Sequence, residues 1–260
     1  PLCFDTLPII FTDASIGISA AVSQWSWNMG GTGNYINGTS TSQNPQFSYD
    51  SCGVYYVTLI VTDDNGCKDT ITQTVEVYCE PTASFTYQES CVGDSTVFES
   101  TSPGNIINWI WNMGGIGTYV NNTNNNSEDP VFEYNNCGVY YVTLIIIDDN
   151  GCNDTIQDSV NVYCPPSPNF SANPECQGDA TVFIDGSVPG LHPSAAIVSW
   201  NWTMNGNGAY VNGTNSTDSM PQYIFDSCGT HNVTLEVTDA NGCSNSIIIP
   251  IEVYCNPIAN

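Results

Sequence analysis

DSCGVYYVTLIVTDDNGCKDTI, residues 50–71, decides the fold. Within it Tyr55, Val57, Leu59 and Val61 alternate with Tyr56, Thr58, Ile60 and Thr62, a period of two built from β-branched and aromatic side chains. Asp64-Asn65-Gly66 ends the run with a hairpin turn signal, and a second strand is predicted over 70–78. The text returns as NNCGVYYVTLIIIDDNGCNDTI at 135–156, 85 residues on, and as DSCGTHNVTLEVTDANGCSNSI at 226–247, a further 91 residues on. The larger second offset reflects a longer segment at 187–196, as expected for a surface loop.

Working outward, QWSWNMGGTGNYINGT, NWIWNMGGIGTYVNNT and SWNWTMNGNGAYVNGT recur in register, and VEVYCEP, VNVYCPP and IEVYCNP close the copies. A short strand is predicted at Ile9 to Thr12, a tryptophan-bearing strand at Gln24 to Met29 and another at Phe47 to Tyr49; no segment has a 3.6-residue period. A repeat of 85 to 91 residues is the size of one small β-sandwich. The expectation is an all-β chain of three tandem immunoglobulin-like β-sandwiches in a rod, with almost no helix. Its units span 1–79 (first strand missing), 80–164 and 165–255, and 256–260 begins a further repeat. The chain is expected to be a mature fragment of an array continuing at both ends.

Twenty-six acidic residues face one cation, Lys68, for a net charge of −25, so internal salt bridges cannot supply stability. Such a surface repels phosphate backbones and anionic headgroups, which excludes nucleic acid and electrostatic membrane docking. Cations, glycans and other proteins remain as partners. A 41% hydrophobic composition marks a globular chain rather than an acidic tail. Twelve cysteines without close CxxC pairs point to disulfides and an oxidising, extracellular or cell-surface location. No apolar run approaches the roughly 18 residues of a membrane-spanning helix.

Several motifs together resemble the polycystic-kidney-disease (PKD) domain: WNMGG at Trp27, NPQFSY at Asn44 and YYVTLIVTD at Tyr55. WNMGG lacks the acidic residue and Phe usual in that family's turn, and the third copy reads WTMNG. The ending NGC-x-(D/N)-(T/S)-I, with CVGD at Cys91 and CQGD at Cys176, is most similar to repeats of very large Bacteroidetes surface adhesins, including gliding-motility adhesins. The resemblance implies spacer or stalk modules.

Each unit carries a cysteine before its first full strand (Cys3, Cys91, Cys176), one before the Tyr-x-Val strand (Cys52, Cys137, Cys228), one after the DNG turn (Cys67, Cys152, Cys243) and one closing the last strand (Cys79, Cys164, Cys255). The third and fourth cannot join within a unit, because the strand between them extends ~40 Å at ~3.3 Å per residue while a disulfide needs Cα atoms within about 7 Å. The poles of an immunoglobulin-like sandwich predict Cys3-Cys52, Cys91-Cys137 and Cys176-Cys228 within units and Cys79-Cys152 and Cys164-Cys243 across junctions. Cys67 and Cys255 are then left to pair with neighbouring repeats. The alternative pairs all four cysteines inside each unit and requires the third to find a partner at the far pole.

The pairs Trp25/Trp27, Trp109/Trp111 and Trp200/Trp202 share a sheet face; they suit sugar stacking when exposed, but a strand tryptophan of a small sandwich usually lies in the core. Asp63-Asp64-Asn65-Gly66 and Asp148-Asp149-Asn150-Gly151 offer hard oxygen ligands for Ca²⁺, but turn formation explains the same residues, and no cofactor is expected. N-x-(S/T) sequons lie at Asn37, Asn121, Asn125, Asn153, Asn169, Asn201, Asn212, Asn215 and Asn232. Asp-(Ser/Thr)-hydrophobic sites resembling the Bacteroidetes O-glycosylation motif lie at Thr6, Thr70, Thr155, Ser159 and Ser219. The two histidines, His192 and His231, are not repeated, and no triad or metal spacing is visible, so no enzyme is expected. The leading function is a stalk or filament segment of an adhesin stiffened by disulfides. The alternatives are a glycan- or matrix-binding array and a self-assembling fibre or surface-layer subunit.

Overall fold

In the computed structural model, which describes residues 2–4 and 8–258, the alternating run lies in the strand Gly53–Asp63. That strand hairpins onto Lys68–Val77 and pairs on its other side with the tryptophan strand Val22–Asn28. Gly66 closes the turn at φ +83°, a left-handed conformation open to glycine at no steric cost. The second copy repeats the sheet with Ile106–Asn112, Gly138–Asp148 and Asn153–Tyr163, the third with Ile197–Met204, Gly229–Asp239 and Ser244–Tyr254. All three tryptophan strands bulge after their first pair, at Val22/Gln24, Ile106/Asn108 and Ile197/Ser199. A very short parallel strand is added to the last strand, Ser90–Cys91 beside Val162 and Tyr163 and Glu175–Cys176 beside Val253 and Tyr254; in the first copy Cys3 bridges Tyr78 alone.

The facing sheet has four strands in the second and third copies, built on Phe85–Tyr87 with Ser95–Ser100 and on Phe170–Ala172 with Ala180–Asp185. In the first copy the described residues supply three, Ile9–Ile10, Gln46–Tyr49 and Gly33–Asn37. The last of these was not anticipated, because GNYIN has no strong alternation. No described residue is helical. The fold is thus the expected all-β tandem of immunoglobulin-like sandwiches.

Period two puts one face of each long strand inside. Val142, Leu144 and Ile146 are fully buried, as are Val233, Leu235 and Val237, and each set packs on the tryptophan of the neighbouring strand, Trp111 or Trp202. A tyrosine pair caps the core: Tyr49 stacks on Tyr55 at 3.7 Å and Tyr134 on Tyr140 at 4.1 Å, while Tyr49 and Tyr134 donate to the carbonyls of Met29 and Met113. The third copy rebuilds this cap with different residues. His231 stacks on Phe225 at 4.4 Å, its Nε2 lies 2.9 Å from the Ser227 carbonyl, and Tyr223 supplies the hydroxyl that donates to Gly206. His231 is therefore a packing residue in a tyrosine's place.

Burial first, then neighbouring Tyr55 and Tyr35, pushes the Tyr49 phenol up to about 12, and burial moves Tyr134 the same way. An unfolded tyrosine ionises near ~10, so above that pH the unfolded chain loses protons that the folded chain keeps. The stabilisation is complete below pH ~10 and is lost as pH rises through the folded value near 12. Thermal melts at increasing alkaline pH are expected to fall more steeply for the natural chain than for the Tyr49→Phe/Tyr134→Phe variant; equal slopes would count against this.

Candidate functional site: the module junctions

Each DNG turn is closed by the aspartate that ends the long strand. Asp148 Oδ1 accepts from the backbone N–H of Asn150 at 3.0 Å and of Cys152 at 2.7 Å, and Asp239 Oδ1 accepts from Asn241 and Cys243, both at 3.0 Å. Asp63 binds Asn65 and Cys67 in the same way. Of the carboxylates weighed for Ca²⁺, Asp63 and Asp148 are thus engaged in holding the turns and Asp149 accepts from the Asn105 side chain, and among the described residues no three His, Cys, Asp or Glu side chains gather at metal-binding distance. The same bonds aim the third cysteine outward from its module.

That cysteine meets the preceding module. Cys152 is bonded to Cys3 with Cα atoms 5.5 Å apart, and Cys243 to Cys91 at 5.7 Å. The linkers are pinned beside them. Asp154 Oδ2 accepts from the N–H of Ala83 at 2.7 Å, and the equivalent Asn245 donates to the carbonyl of Pro166 at 3.1 Å. At the second junction the longer loop adds a contact that its sequence did not announce. The His192 ring packs edge-on to Tyr163 at 5.0 Å, Ser167 and Val188 exchange backbone hydrogen bonds, and Gly190 lies so close to Cys164 that an added Cβ would sit 2.0 Å from its carbonyl oxygen. Tyr163 donates to Glu89, and burial together with that bond pushes its phenol up to about 12.

Within each module the second cysteine joins the fourth: Cys52–Cys79, Cys137–Cys164 and Cys228–Cys255, with Cα atoms 5.0, 5.0 and 4.9 Å apart. These five bonds replace the predicted Cys3-Cys52, Cys91-Cys137, Cys176-Cys228, Cys79-Cys152 and Cys164-Cys243. The reason is register. Gly53 faces Val77, Gly138 faces Val162 and Gly229 faces Val253, so the cysteines just outside those pairs are neighbours across the hairpin. The first cysteine, held on the parallel strand at the exit pole, is left facing the next module. The free thiols are Cys67 and Cys176, both exposed; Cys255, expected to reach a neighbouring repeat, is bonded to Cys228.

The remaining candidates make none of these junction contacts, although Asn153 and Thr155 flank Cys152 and Asp154 in sequence. Trp111 and Trp202 are buried, and Trp25, Trp109 and Trp200 are half-buried with their indole N–H donating to Asp13, Ser100 and Asp185. All nine sequon asparagines are exposed. Thr70, Thr155 and Ser159 are exposed, Ser219 is half-buried, and Thr6 lies outside the described residues.

Sequence models of the PKD domain match residues 7–79, 78–163 and 169–248. Among curated proteins, the pre-pro-metalloprotease PrtV of Vibrio cholerae serotype O1 is 31% identical over 155 residues, or 59% of this chain and 15% of the relative. The chain thus spans only a small part of the curated relatives it matches. Among solved structures, the PKD1 domain of that protease is 30% identical, with 32% of this chain and 96% of that one covered and a TM-score of 0.27. Three N-terminal domains of the bacteriophage RB49 highly immunogenic outer capsid protein are 10% identical, with 98% and 96% covered and a TM-score of 0.41.

Peptide mapping by mass spectrometry without reduction is expected to recover Cys3–Cys152 and Cys91–Cys243 alongside the three hairpin bonds. Recovery of Cys79 linked to Cys152 would overturn the junction described here.

Proposed function

Because the chain belongs to the PKD-domain family, we propose that it is a non-catalytic structural segment of an extracellular or cell-surface protein, a stalk whose modules, divided near residues 80 and 165, are held in line by disulfides. The observation that carries this reading is the pair of bonds from each module to the next, Cys3–Cys152 and Cys91–Cys243. A linker tied at one point can swivel. Here each junction has the peptide linker and a disulfide, and a further hydrogen bond anchors the linker to the entering module. Disulfides also fit an oxidising location, and no helix among the described residues is long and apolar enough to cross a membrane.

Glycan binding gains little support, since the tryptophan pairs are spent on packing and internal hydrogen bonds. A lateral fibre would need an apolar stripe along the array. Val54 and Tyr56 are exposed, as are Val139 and Tyr141, but Thr230 and Asn232 stand in their place in the third module. The partners in this reading are neighbouring modules in series, with glycans on exposed Thr70, Thr155, Ser159 or the sequon asparagines as a hydrated coat. The closing NGC motifs support an origin among large adhesins of the Bacteroidetes type.

Small-angle X-ray scattering tests the stalk. The natural chain is expected to give one sharply bounded maximum dimension, and the Cys3→Ser/Cys152→Ser variant a broader distribution reaching shorter distances. Identical distributions would remove the disulfide from the mechanism.

A further inference from the structure

The first module has a vacancy that its sisters fill. In the second and third modules an N-terminal strand, Phe85–Tyr87 or Phe170–Ala172, lies on the edge of the four-stranded sheet, and its phenylalanine packs edge-on to the core tryptophan at 5.3 Å from Trp111 or 5.0 Å from Trp202. The first module has no such strand among its described residues, and a groove of about 520 Å³ opens there between Phe11, Trp27, Val57, Leu59, Val61 and Ile71. The consequence shows in burial. Trp111 and Trp202 are 3% and 2% exposed, whereas Trp27 is only half-buried; Ile146 and Val237 are fully buried, whereas their counterpart Val61 is half-exposed. Two further features at the same end are unmet. Cys67 is an exposed thiol, although its counterparts Cys152 and Cys243 are buried in bonds to the preceding module. Asp69, counterpart of the linker-binding Asp154, is exposed and accepts from the neighbouring Thr70 N–H.

We infer that this face is an acceptor for a further module of the same kind placed in series before the first, whose linker lays an extended strand with an aromatic residue into the groove over Trp27, and whose first cysteine bonds to Cys67. The occupant is identified by what fills the groove twice already: a strand beginning with an aromatic residue, reached from a closing cysteine through a proline-containing linker, as in Cys79 to Phe85 and Cys164 to Phe170. Bond formation joins two thiols into a disulfide and releases two protons and two electrons, which reduce the disulfide of a thiol–disulfide oxidant to its dithiol. The inference rests on module geometry, so it survives even if the stalk reading fails.

The test is the full chain extended by a copy of its own residues 80–173 ahead of Pro1, which keeps the spacing from closing cysteine to Cys3 found between Cys164 and Cys176. After refolding with oxidised glutathione, Cys67 is expected to resist thiol labelling and to appear in a peptide bonded to the copied Cys91. Amide exchange at residues 57–61 is expected to slow at least tenfold relative to the unextended chain. Replacing the copied Phe170 by Ala should retain the bond but reverse most of that protection. A labelled Cys67 with unchanged exchange would overturn the inference. So would head-to-tail oligomers of the unextended chain linked through Cys67 and Cys176 with the groove protected, since the occupant would then be a second copy. A flexible scattering profile from a correctly bonded extended chain would instead count against the stalk alone.

Discussion

An aspartate oxygen accepting two backbone N–H groups closes the long hairpin of every module, and the positions of the second, third and fourth cysteines follow. Asp63, Asp148 and Asp239 each fix a turn in which the cysteine four residues later is itself a hydrogen-bond donor. The turn sets the register, and the register brings the second and fourth cysteines within about 5 Å at the far end of the same hairpin. The third cysteine is presented at the turn to the preceding module. One local interaction thus organises both the bond that locks a module and the bond that joins it to its neighbour.

Disulfides matter here because other sources of stability are scarce. With one cation against twenty-six acidic residues, ion pairing is negligible and the modules repel themselves and one another. Small sandwiches bury a limited core. In the chain-entropy description, a bond closing the 27-residue span of a hairpin contributes about 3.5 kcal/mol and one spanning 149 or 152 residues about 5 kcal/mol.

The long hairpins, the tryptophan strands and the tandem order were legible because alternation and exact recurrence are local signals. The disulfide register was legible too, but from a different count. Cys52 stands 13 residues before Asn65 and Cys79 13 after Gly66, so an antiparallel hairpin on that turn brings them to within one residue of each other across the pair, whereas reasoning from sandwich poles gave Cys52 to Cys3 instead. The parallel strand of the first cysteine is too short to show a period. His192 and Gly190 at the second junction have no signature at all, because their role depends on Tyr163 and Cys164 in another module. His231 looked like an isolated titratable group until Phe225 and Ser227 placed it in the tyrosine cap.

If the junction bonds carry load, the shortest covalent path through a pulled chain runs through residues 1–3, 152–164, 91–137 and 243–260, crossing the Cys3–Cys152, Cys137–Cys164 and Cys91–Cys243 bonds and bypassing the rest. Single-molecule stretching of the oxidised chain from its two ends should then stop at about 80 residues of backbone, roughly 280 Å, while the reduced chain should pay out its full length, roughly 900 Å. An oxidised chain that extends as far as the reduced one would contradict covalent continuity from module to module.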